Sequence, residues 1–255
     1  MKRLFDVLAA TTGLVLLSPL ILILSVAIYL EDWHSPFYVA NRVGVGGRPF
    51  RMVKFRSMVI RADTSGVDST ATDDPRITAL GRFVRRFKLD EIPQLWNVLL
   101  GSMSLVGPRP NVERDTALYT FEEKRLLTMR PGITDLASIV FADEGDILRG
   151  SDNPDLRYNQ VIRPWKSRLG LLYVDTPRSV VLDIRIVLLT LLGAADRQAA
   201  LASVVRLAEK MGAQEPLLSI ISRTAPLPSG PPPGANDVVR SRAVPAEMVV
   251  PALGT

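Results

Sequence analysis

The chain opens with a long, uninterrupted run of hydrophobic positions. From Val7 to Leu30 there are 24 residues without a charge, and Lys2 and Arg3 precede them. As a single α-helix this run would be roughly 36 Å long, which is enough to cross the hydrocarbon core of a bilayer. It is too long for the apolar part of a normal signal peptide, and no clear small-residue cleavage site follows it. The pattern therefore predicts a membrane helix.

Ser18 and Pro19 lie in the middle of this apolar run. Proline lacks a backbone N–H and clashes with the carbonyl four residues earlier, so a kink is expected here. The freed carbonyl must be satisfied locally, and the Ser18 hydroxyl is well placed to do this. A kinked full span and a re-entrant hairpin both meet the requirement. Basic residues occur on both sides of the run, so the charge pattern does not strongly favour either the full span or the hairpin.

Shorter apolar runs follow the membrane segment. Residues 37–40 and 50–53 predict two strands, and the glycines and proline between them predict a turn that joins them into a hairpin. These glycines do not form the Gly-x-x-x-x-Gly-Lys-Ser/Thr pattern of a phosphate loop. Residues 63–74 are polar and predict a mobile loop. A helix is then expected to begin at residues 73–75 and to place Ile77 and Val84 on its apolar face.

Two adjacent carboxylates, Asp90 and Glu91, stand at the predicted start of the next helix. Asp90 is a good N-cap, so one interpretation is that Asp90 only caps this helix and Glu91 only complements its dipole. Arg85 and other basic residues precede the pair, however, and Pro108 and Pro110 hold Arg109 in a stiff turn after it. Carboxylates and guanidinium groups gathered at a helix start favour phosphoryl chemistry with Mg²⁺.

The second half of the chain reads as further helices and a tail. Residues 111–129 predict a helix with Glu123 exposed, and 194–211 a small amphipathic helix. Residues 180–192 are strongly apolar but too short to span a membrane, so this segment is either a buried core helix or a helix in the membrane interface. Residues 222–255 are rich in proline and lack periodicity, which predicts a disordered tail whose removal leaves activity nearly intact.

The amino-acid composition excludes some kinds of catalytic and metal site. The chain has no cysteine and a single histidine, His34, which excludes thiolate nucleophiles and histidine-rich metal clusters. A formal net charge of +5 fits an anionic partner such as lipid headgroups or a nucleotide sugar. No nucleic-acid-binding motif is present, so we expect no nucleic-acid partner.

Five motifs follow one another in an order that closely resembles the bacterial sugar transferases, the monotopic polyprenyl-phosphate phosphoglycosyl transferases. The resemblance runs from about residue 1 to about residue 193, and five linked motifs are far more specific than any one of them. The motifs are Lys54-Phe55-Arg56-Ser57-Met58, Asp74-Pro75-Arg76-Ile77-Thr78, the stretch from Leu89 to Leu99, Ser104-Leu105-Val106-Gly107-Pro108-Arg109-Pro110 and Arg130-Pro131-Gly132-Ile133-Thr134.

The resemblance implies an α-rich α+β, membrane-associated (monotopic) fold. Its parts would be an N-terminal re-entrant helix broken at Ser18-Pro19, a small β-hairpin, a catalytic helical core and amphipathic interface helices. We expect a membrane anchor over residues 1–36, a catalytic domain over 37–193, a short helical extension over 194–221 and the disordered tail over 222–255. A full membrane span remains the second topology.

The resemblance also implies a reaction. A nucleoside-diphosphate sugar and polyprenyl (undecaprenyl) phosphate would give a polyprenyl-diphosphate sugar and a nucleoside monophosphate, which starts the assembly of a membrane-bound glycan. Asp90, kept ionised by the helix start and the arginines, would attack the β-phosphorus and form an aspartyl phosphosugar. Glu91 would help to bind Mg²⁺ together with Asp90, or would manage protons. The alternatives are a non-catalytic scaffold for polysaccharide assembly and a module that only binds anionic lipid.

Further site residues and the location follow from the same resemblance. The enzyme would lie at the bacterial inner membrane with its catalytic domain on the cytoplasmic face, and a homo-oligomer is left open. Two stretches depart from the commoner family pattern, Asp135-Leu136-Ala137-Ser138 and Gly170, which affects the expected nucleotide and sugar contacts. The residues expected to contact phosphate or substrate are Lys54, Arg56, Arg85, Pro108, Arg109, Pro110 and Arg130.

Overall fold

The computed structural model describes residues 1–241, and helices carry most of this part of the chain. The helices are α1 (Lys2–Asp32), α2 (Ala79–Arg86), α3 (Gln94–Leu100), α4 (Glu113–Thr116), α5 (Leu136–Val140), α6 (Glu144–Leu148), α7 (Pro154–Arg157), α8 (Arg163–Asp175), α9 (Val180–Ala195), α10 (Arg197–Lys210) and α11 (Leu217–Ser222). The strands are β1 (Phe37–Val43), β2 (Pro49–Phe55), β3 (Ser104–Val106) and β4 (Gly132–Thr134). The predicted α-rich α+β class is therefore confirmed.

The apolar N-terminal segment forms one helix, because α1 continues through Pro19 instead of ending there. The predicted break at Ser18-Pro19 is in this respect wrong. The expected local repair is present, since the Ser18 hydroxyl donates a hydrogen bond of 2.8 Å to the Val15 carbonyl. Val15 lies four residues before Pro19, so its carbonyl is the one that the missing proline N–H leaves without a donor. Among the described helices, α1 alone is long and apolar enough to cross a membrane.

The two halves of α1 pack on the same folded domain. Ala10 in the first half joins a buried cluster with Met52, and Leu24 and Ile28 in the second half join a cluster with Phe55. Between these contacts the helix exposes the large apolar residues Val15, Leu16, Leu22 and Ile23. The helix is therefore attached to the domain near both ends and presents a hydrophobic surface in between.

Each of the two sheets has two strands. The predicted hairpin is confirmed, since β1 and β2 pair in antiparallel register and the glycine-containing turn joins them. Strands β3 and β4 pair in parallel and bring together the segments that precede Arg109 and follow Arg130. Gly107 and Gly132 permit this pairing, because a Cβ atom on Gly132 would lie 2.1 Å from the Gly107 backbone nitrogen.

The helix predicted to begin at residues 73–75 begins instead at Ala79. Thr78 is its N-cap and accepts a hydrogen bond of 2.9 Å from the Gly81 N–H. Asp74 is used differently, since its carboxylate pairs with Arg76 in the loop before the helix.

The predicted helix over residues 111–129 is also wrong. The structure has only the short α4 and a 3₁₀ stretch at Glu123–Thr128. Glu123, which was expected to be exposed, is fully buried and forms an ion pair with Arg163 at 2.5 Å. A buried charge pair between distant segments has replaced the regular helix that the local pattern favoured.

Helices α9 and α10 confirm the last two helical predictions. Ile186 and Leu189 of α9 pack into the largest core cluster together with Leu201 and Val204 of α10. The opposite side of α9 exposes Val181 and further large apolar residues. Hence α9 has one buried and one exposed apolar side.

The prediction of disorder over residues 222–255 is wrong for the described part, because residues 222–241 follow a defined path. Four side chains of the domain donate hydrogen bonds to carbonyls of this segment between Pro228 and Val239, and the Gly230 N–H of the segment donates to the Gln160 carbonyl. Proline-rich sequence has no periodicity, and its order here comes from contacts with the domain. The remainder of the predicted tail, residues 242–255, lies outside the described residues.

Candidate active site

The Asp90-Glu91 pair lies in a tight turn and not at an α-helix start. Lys88 adopts a left-handed backbone conformation with φ 56°, and a 3₁₀ turn follows at Leu89–Glu91. Helix α3 begins only at Gln94 with Pro93 as its N-cap, so the predicted N-cap role of Asp90 is wrong. The turn buries the Asp90 side chain to 6% exposure. No described residue donates a hydrogen bond to its carboxylate, and a largely buried carboxylate without a protein donor is a candidate for a functional role.

Arg109 reaches the site from the Gly107–Pro110 turn and binds Glu91. Both terminal nitrogens of its guanidinium donate to the Glu91 carboxylate, and one of these bonds is 3.3 Å long. The Glu91 side chain is 14% exposed and that of Arg109 is 32% exposed. The predicted proximity of the Arg109 turn to the acidic pair is thus observed, and its direct partner is Glu91.

The two carboxylates have opposite pKa shifts. Burial raises the pKa of Asp90, and the charge of Glu91 raises it further, while Lys54, Arg85 and Lys88 act in the opposite direction. Burial alone would also raise the pKa of Glu91, but the charge and hydrogen bonds of Arg109 outweigh it and lower that pKa to about 2. Glu91 therefore stays ionised at neutral pH and is unsuited to carry protons. The expectation that a helix start holds Asp90 ionised is not met by this environment.

Cations from β2 and α2 act on the pair, and a further cation from β1 lies close to them. Burial lowers the pKa of Lys54 at the end of β2 to about 8, although the Asp90 charge raises it. Arg85 at the end of α2 lies near enough to lower the pKa of Asp90. Sequence reasoning missed Arg42 of β1, whose charge acts on both Lys54 and Arg109. The strand pairing could have revealed Arg42. Tyr38 is the cross-strand partner of Lys54, and Arg42 lies on the same face of β1 as Tyr38.

Two of the predicted substrate contacts lie elsewhere. Arg56 is buried, and its guanidinium pairs with Asp32 and donates to the Ser35 carbonyl at 2.8 Å, so it anchors the end of α1. These bonds occupy its donors, and the expectation that Arg56 binds substrate is corrected. Arg130 is exposed and donates to the Gly101 carbonyl at 3.0 Å. We find no contact between Arg130 and the acidic pair in the described residues.

A partly open cavity adjoins Arg109 on the side of α8. Asp135, Ser138 and Gly170 are among its lining residues, so both departures from the family pattern lie in this one cavity. Asp135 caps α5 by accepting a hydrogen bond of 2.6 Å from the Ser138 N–H. The other lining residues are Pro108, Arg109, Asn111, Tyr119, Leu126, Ala137, Tyr158, Arg163, Lys166 and Ser167.

The acidic pair offers a small set of metal ligands. Among the described residues no three His, Cys, Asp or Glu side chains gather in a group that could hold a metal ion. Mg²⁺ is commonly held by one or two carboxylates together with substrate phosphates, and Asp90 with Glu91 matches that pattern. Because Arg109 already binds Glu91, the carboxylate of Asp90 is the freer ligand.

Comparison with known proteins decides the family. The sequence profile described as "Bacterial sugar transferase" matches residues 1–197. The chain belongs to the bacterial sugar transferase family. The family region therefore includes α1, the acidic pair, the cavity and α9, and it ends at the start of α10.

Several named proteins are similar to the chain. It is 37% identical over 172 residues to the UDP-glucose:undecaprenyl-phosphate glucose-1-phosphate transferase of Caulobacter vibrioides, which covers 65% of this chain and 64% of that protein. It is 36% identical over 173 residues to the UDP-N-acetylgalactosamine-undecaprenyl-phosphate N-acetylgalactosaminephosphotransferase of Aeromonas hydrophila, over 64% of this chain and 40% of that protein. The exopolysaccharide production protein ExoY of Rhizobium meliloti is 40% identical over 153 residues, or 54% of this chain and 68% of that protein.

Proposed function

We propose that this chain transfers a sugar-1-phosphate from a nucleoside-diphosphate sugar to undecaprenyl phosphate. The observation that carries the proposal is the buried Asp90 carboxylate, which has no hydrogen-bond donor among the described residues and lies beside several cations. Buried carboxylates are normally paired, so an unpaired one in a cationic site is available for chemistry. Relatives named for this type of transfer from UDP-glucose and UDP-N-acetylgalactosamine support the choice of substrates.

The proposed chemistry has two displacement steps at one phosphorus atom. A carboxylate oxygen of Asp90 attacks the β-phosphorus, the bond to the bridging oxygen breaks, and the electron pair leaves with the nucleoside monophosphate. An oxygen of undecaprenyl phosphate then attacks the same phosphorus and releases the Asp90 carboxylate. Neither step needs a proton from Glu91, which agrees with its low pKa.

The surrounding residues would serve these steps by binding charge. Lys54, Arg85 and Arg109 would hold phosphate oxygens and stabilise the negative charge that develops on them. Glu91 orients Arg109 through their paired hydrogen bonds. Mg²⁺, held by Asp90 and Glu91 together with the substrate, would neutralise the diphosphate and favour the ionised form of Asp90.

We propose that α1 enters and leaves the membrane on the side of the catalytic domain. Near its start, the Lys2 ammonium forms an ion pair of 2.5 Å with Asp183, and Arg3 donates to the Leu99 carbonyl at 2.8 Å. At its end, Asp32 pairs with Arg56. A helix that spans the bilayer would place one of these ends across the membrane from its partner. The exposed apolar middle of α1 and the exposed side of α9 would lie in lipid, on the cytoplasmic face where nucleotide sugars are found.

One exchange experiment tests the proposal. The purified chain in detergent is incubated with labelled UMP and unlabelled UDP-glucose or UDP-N-acetylgalactosamine, without lipid phosphate. A covalent intermediate predicts label in the UDP-sugar, and later addition of undecaprenyl phosphate predicts a lipid-linked sugar. Turnover that needs both substrates together, with no exchange, would overturn the aspartyl intermediate. Absence of lipid-linked product with every nucleotide sugar would favour the non-catalytic scaffold.

A further inference from the structure

Residues 223–239, here called the strap, bind the catalytic domain beyond the family region. At its start, Arg223 forms an ion pair of 2.5 Å with Asp143, which also pairs with Arg197 of α10 at 2.9 Å. Arg223 also lies over the ring of Phe141, at 5.7 Å from the ring centre. The strap is therefore fixed at one end to the short connection between α5 and α6, which Asp143 also joins to α10.

The proline-rich part of the strap supplies backbone carbonyls to side-chain donors of the domain. The Trp165 indole N–H donates to the Pro228 carbonyl at 3.0 Å, and Arg168 donates to the Pro231 carbonyl at 2.9 Å. Thr120 donates to the Pro233 carbonyl at 2.5 Å. The prolines of the strap lack a backbone N–H, whereas their carbonyls can accept hydrogen bonds from the domain.

Gln160 is held from both its backbone and its side chain. Its carbonyl accepts a hydrogen bond of 3.0 Å from the Gly230 N–H, and its amide nitrogen donates to the Val239 carbonyl at 2.8 Å. Gly230 is packed so closely that a Cβ atom there would lie 3.2 Å from the Trp165 ring. Gln160 belongs to the π-helical turn Tyr158–Ile162 that leads into α8, and such turns depart from α-helical geometry.

The segment that the strap binds also lines the cavity beside Arg109. Gln160, Trp165 and Arg168 contact the strap, while Tyr158, Lys166 and Ser167 of the same continuous segment line the cavity. The two sets alternate along the π turn and α8, so they occupy different sides of one rigid element. A shift of the strap side would therefore move the cavity side.

We propose that the strap is a positioning element for nucleotide-sugar binding, which it supports by holding the π turn and α8 in place along the cavity. The inference rests on the proposed function, since it takes the cavity beside Arg109 as the place of the nucleoside or sugar part of the donor. The strap touches neither Asp90 nor Glu91 in the described structure. Its loss should change donor binding and leave the phosphoryl chemistry and lipid binding in place.

Two truncations with matched ends test the strap. A chain that ends at residue 241 keeps it, and a chain that ends at residue 222 removes it. At a temperature well below unfolding, the first should match the full chain. The second should raise KM for the nucleotide sugar about tenfold, as loss of roughly 1.4 kcal/mol of binding would do, with kcat and KM for undecaprenyl phosphate within about twofold. Adding a peptide of residues 223–241 should lower KM again.

Point variants test the same proposal if the chain that ends at residue 222 does not fold. Trp165→Phe removes the indole donor together with part of the buried ring, and Gly230→Val forces a side chain against that ring. Both should raise KM for the donor and speed amide exchange over residues 158–168. Gly193→Ala, whose new Cβ would be in ordinary contact at 3.5 Å, is the control and should change neither.

The outcomes separate the two proposals. Turnover with unchanged donor KM in the strap variants would overturn the positioning role alone. A parallel loss of kcat for all substrates would show that the strap acts only on general stability and would also overturn it. A full-length chain without turnover would overturn the proposed function and, with it, this inference.

Discussion

Arg109 pairs with Glu91 and leaves the adjacent Asp90 without a hydrogen-bond donor in the described structure. Because of this pairing, the two neighbouring carboxylates have pKa values that shift in opposite directions. Glu91 is held ionised by a guanidinium, whereas burial and the charge of Glu91 raise the pKa of Asp90. Glu91 thus orients the Arg109 guanidinium, while Asp90 is left without a donor, as the proposed nucleophile requires.

Asp90→Asn should lower turnover by a factor on the order of 10³ or more, because an amide cannot replace a carboxylate nucleophile. The variant should fold as well as the parent, since Asp90 accepts no hydrogen bond from the described residues and its buried charge carries a desolvation cost. Product formation and thermal unfolding in detergent check the two expectations. Activity close to that of the parent would refute the nucleophile assignment.

Arg109→Ala should reduce both activity and stability, because it leaves the mostly buried Glu91 without its partner. A cost of about 1–3 kcal/mol in the free energy of unfolding is expected for such an orphaned group. The double variant with Glu91→Gln should recover part of the stability and none of the activity. Additive stability effects in this double-mutant cycle would show that the two side chains are not coupled.

The pKa of Lys54 leads to a pH dependence. Burial brings it to about 8 in the free protein, so its positive charge is present below this pH and is lost as the pH rises through it. If the cation holds the diphosphate, kcat/KM for the nucleotide sugar should fall above about pH 8. Lys54→Arg should remove this alkaline limb, because arginine stays charged. An unchanged limb in Lys54→Arg would assign it to another group.

Local sequence patterns predicted the elements whose order depends on local interactions. The β1–β2 hairpin follows from its glycine turn, and α9 and α10 follow from their hydrophobic periodicity. The Ser18 hydrogen bond to Val15 was expected from the chemistry of Pro19 alone. At the site, the sequence correctly predicted that the Arg109 turn lies beside the acidic pair.

Features fixed by distant partners were not predicted. Glu123 was predicted to be exposed, but it is buried in an ion pair with Arg163, which lies 40 positions later. The strap was predicted to be disordered, but Thr120, Gln160 and side chains of α8 donate hydrogen bonds to it. The left-handed Lys88 that turns Asp90 inward has no local signal such as glycine. Arg56 was placed at the substrate by its motif, but Asp32 binds it. These failures share one cause, since tertiary contacts override local propensity.

Asp183→Asn should destabilise the attachment of α1. Asp183 is 2% exposed, accepts a hydrogen bond of 2.5 Å from the Tyr173 hydroxyl and pairs with Lys2. Removing its charge should cost about 1–3 kcal/mol and lower the unfolding temperature by several degrees. Arg185→Gln on the exposed side of the same helix is the control and should have little effect. Equal unfolding temperatures of the two variants would argue against the Lys2–Asp183 attachment.

The last prediction concerns the two ends of α1, which should face the same, cytoplasmic side. The chain has no cysteine, so single cysteines can be labelled selectively. One is inserted after the exposed Met1, and the other is Asn41→Cys on an exposed position of β1. In intact cells an impermeant maleimide should label neither, and after lysis it should label both. Labelling of the first position alone in intact cells would show a full span. Pro19→Ala tests the cause, because it restores the backbone N–H that would bond to the Val15 carbonyl. If Pro19 helps to keep α1 on one side, this variant should show a fraction of molecules with an accessible N-terminus, and Ser18→Ala with Pro19 retained should not, since that change removes only the single hydrogen bond to Val15.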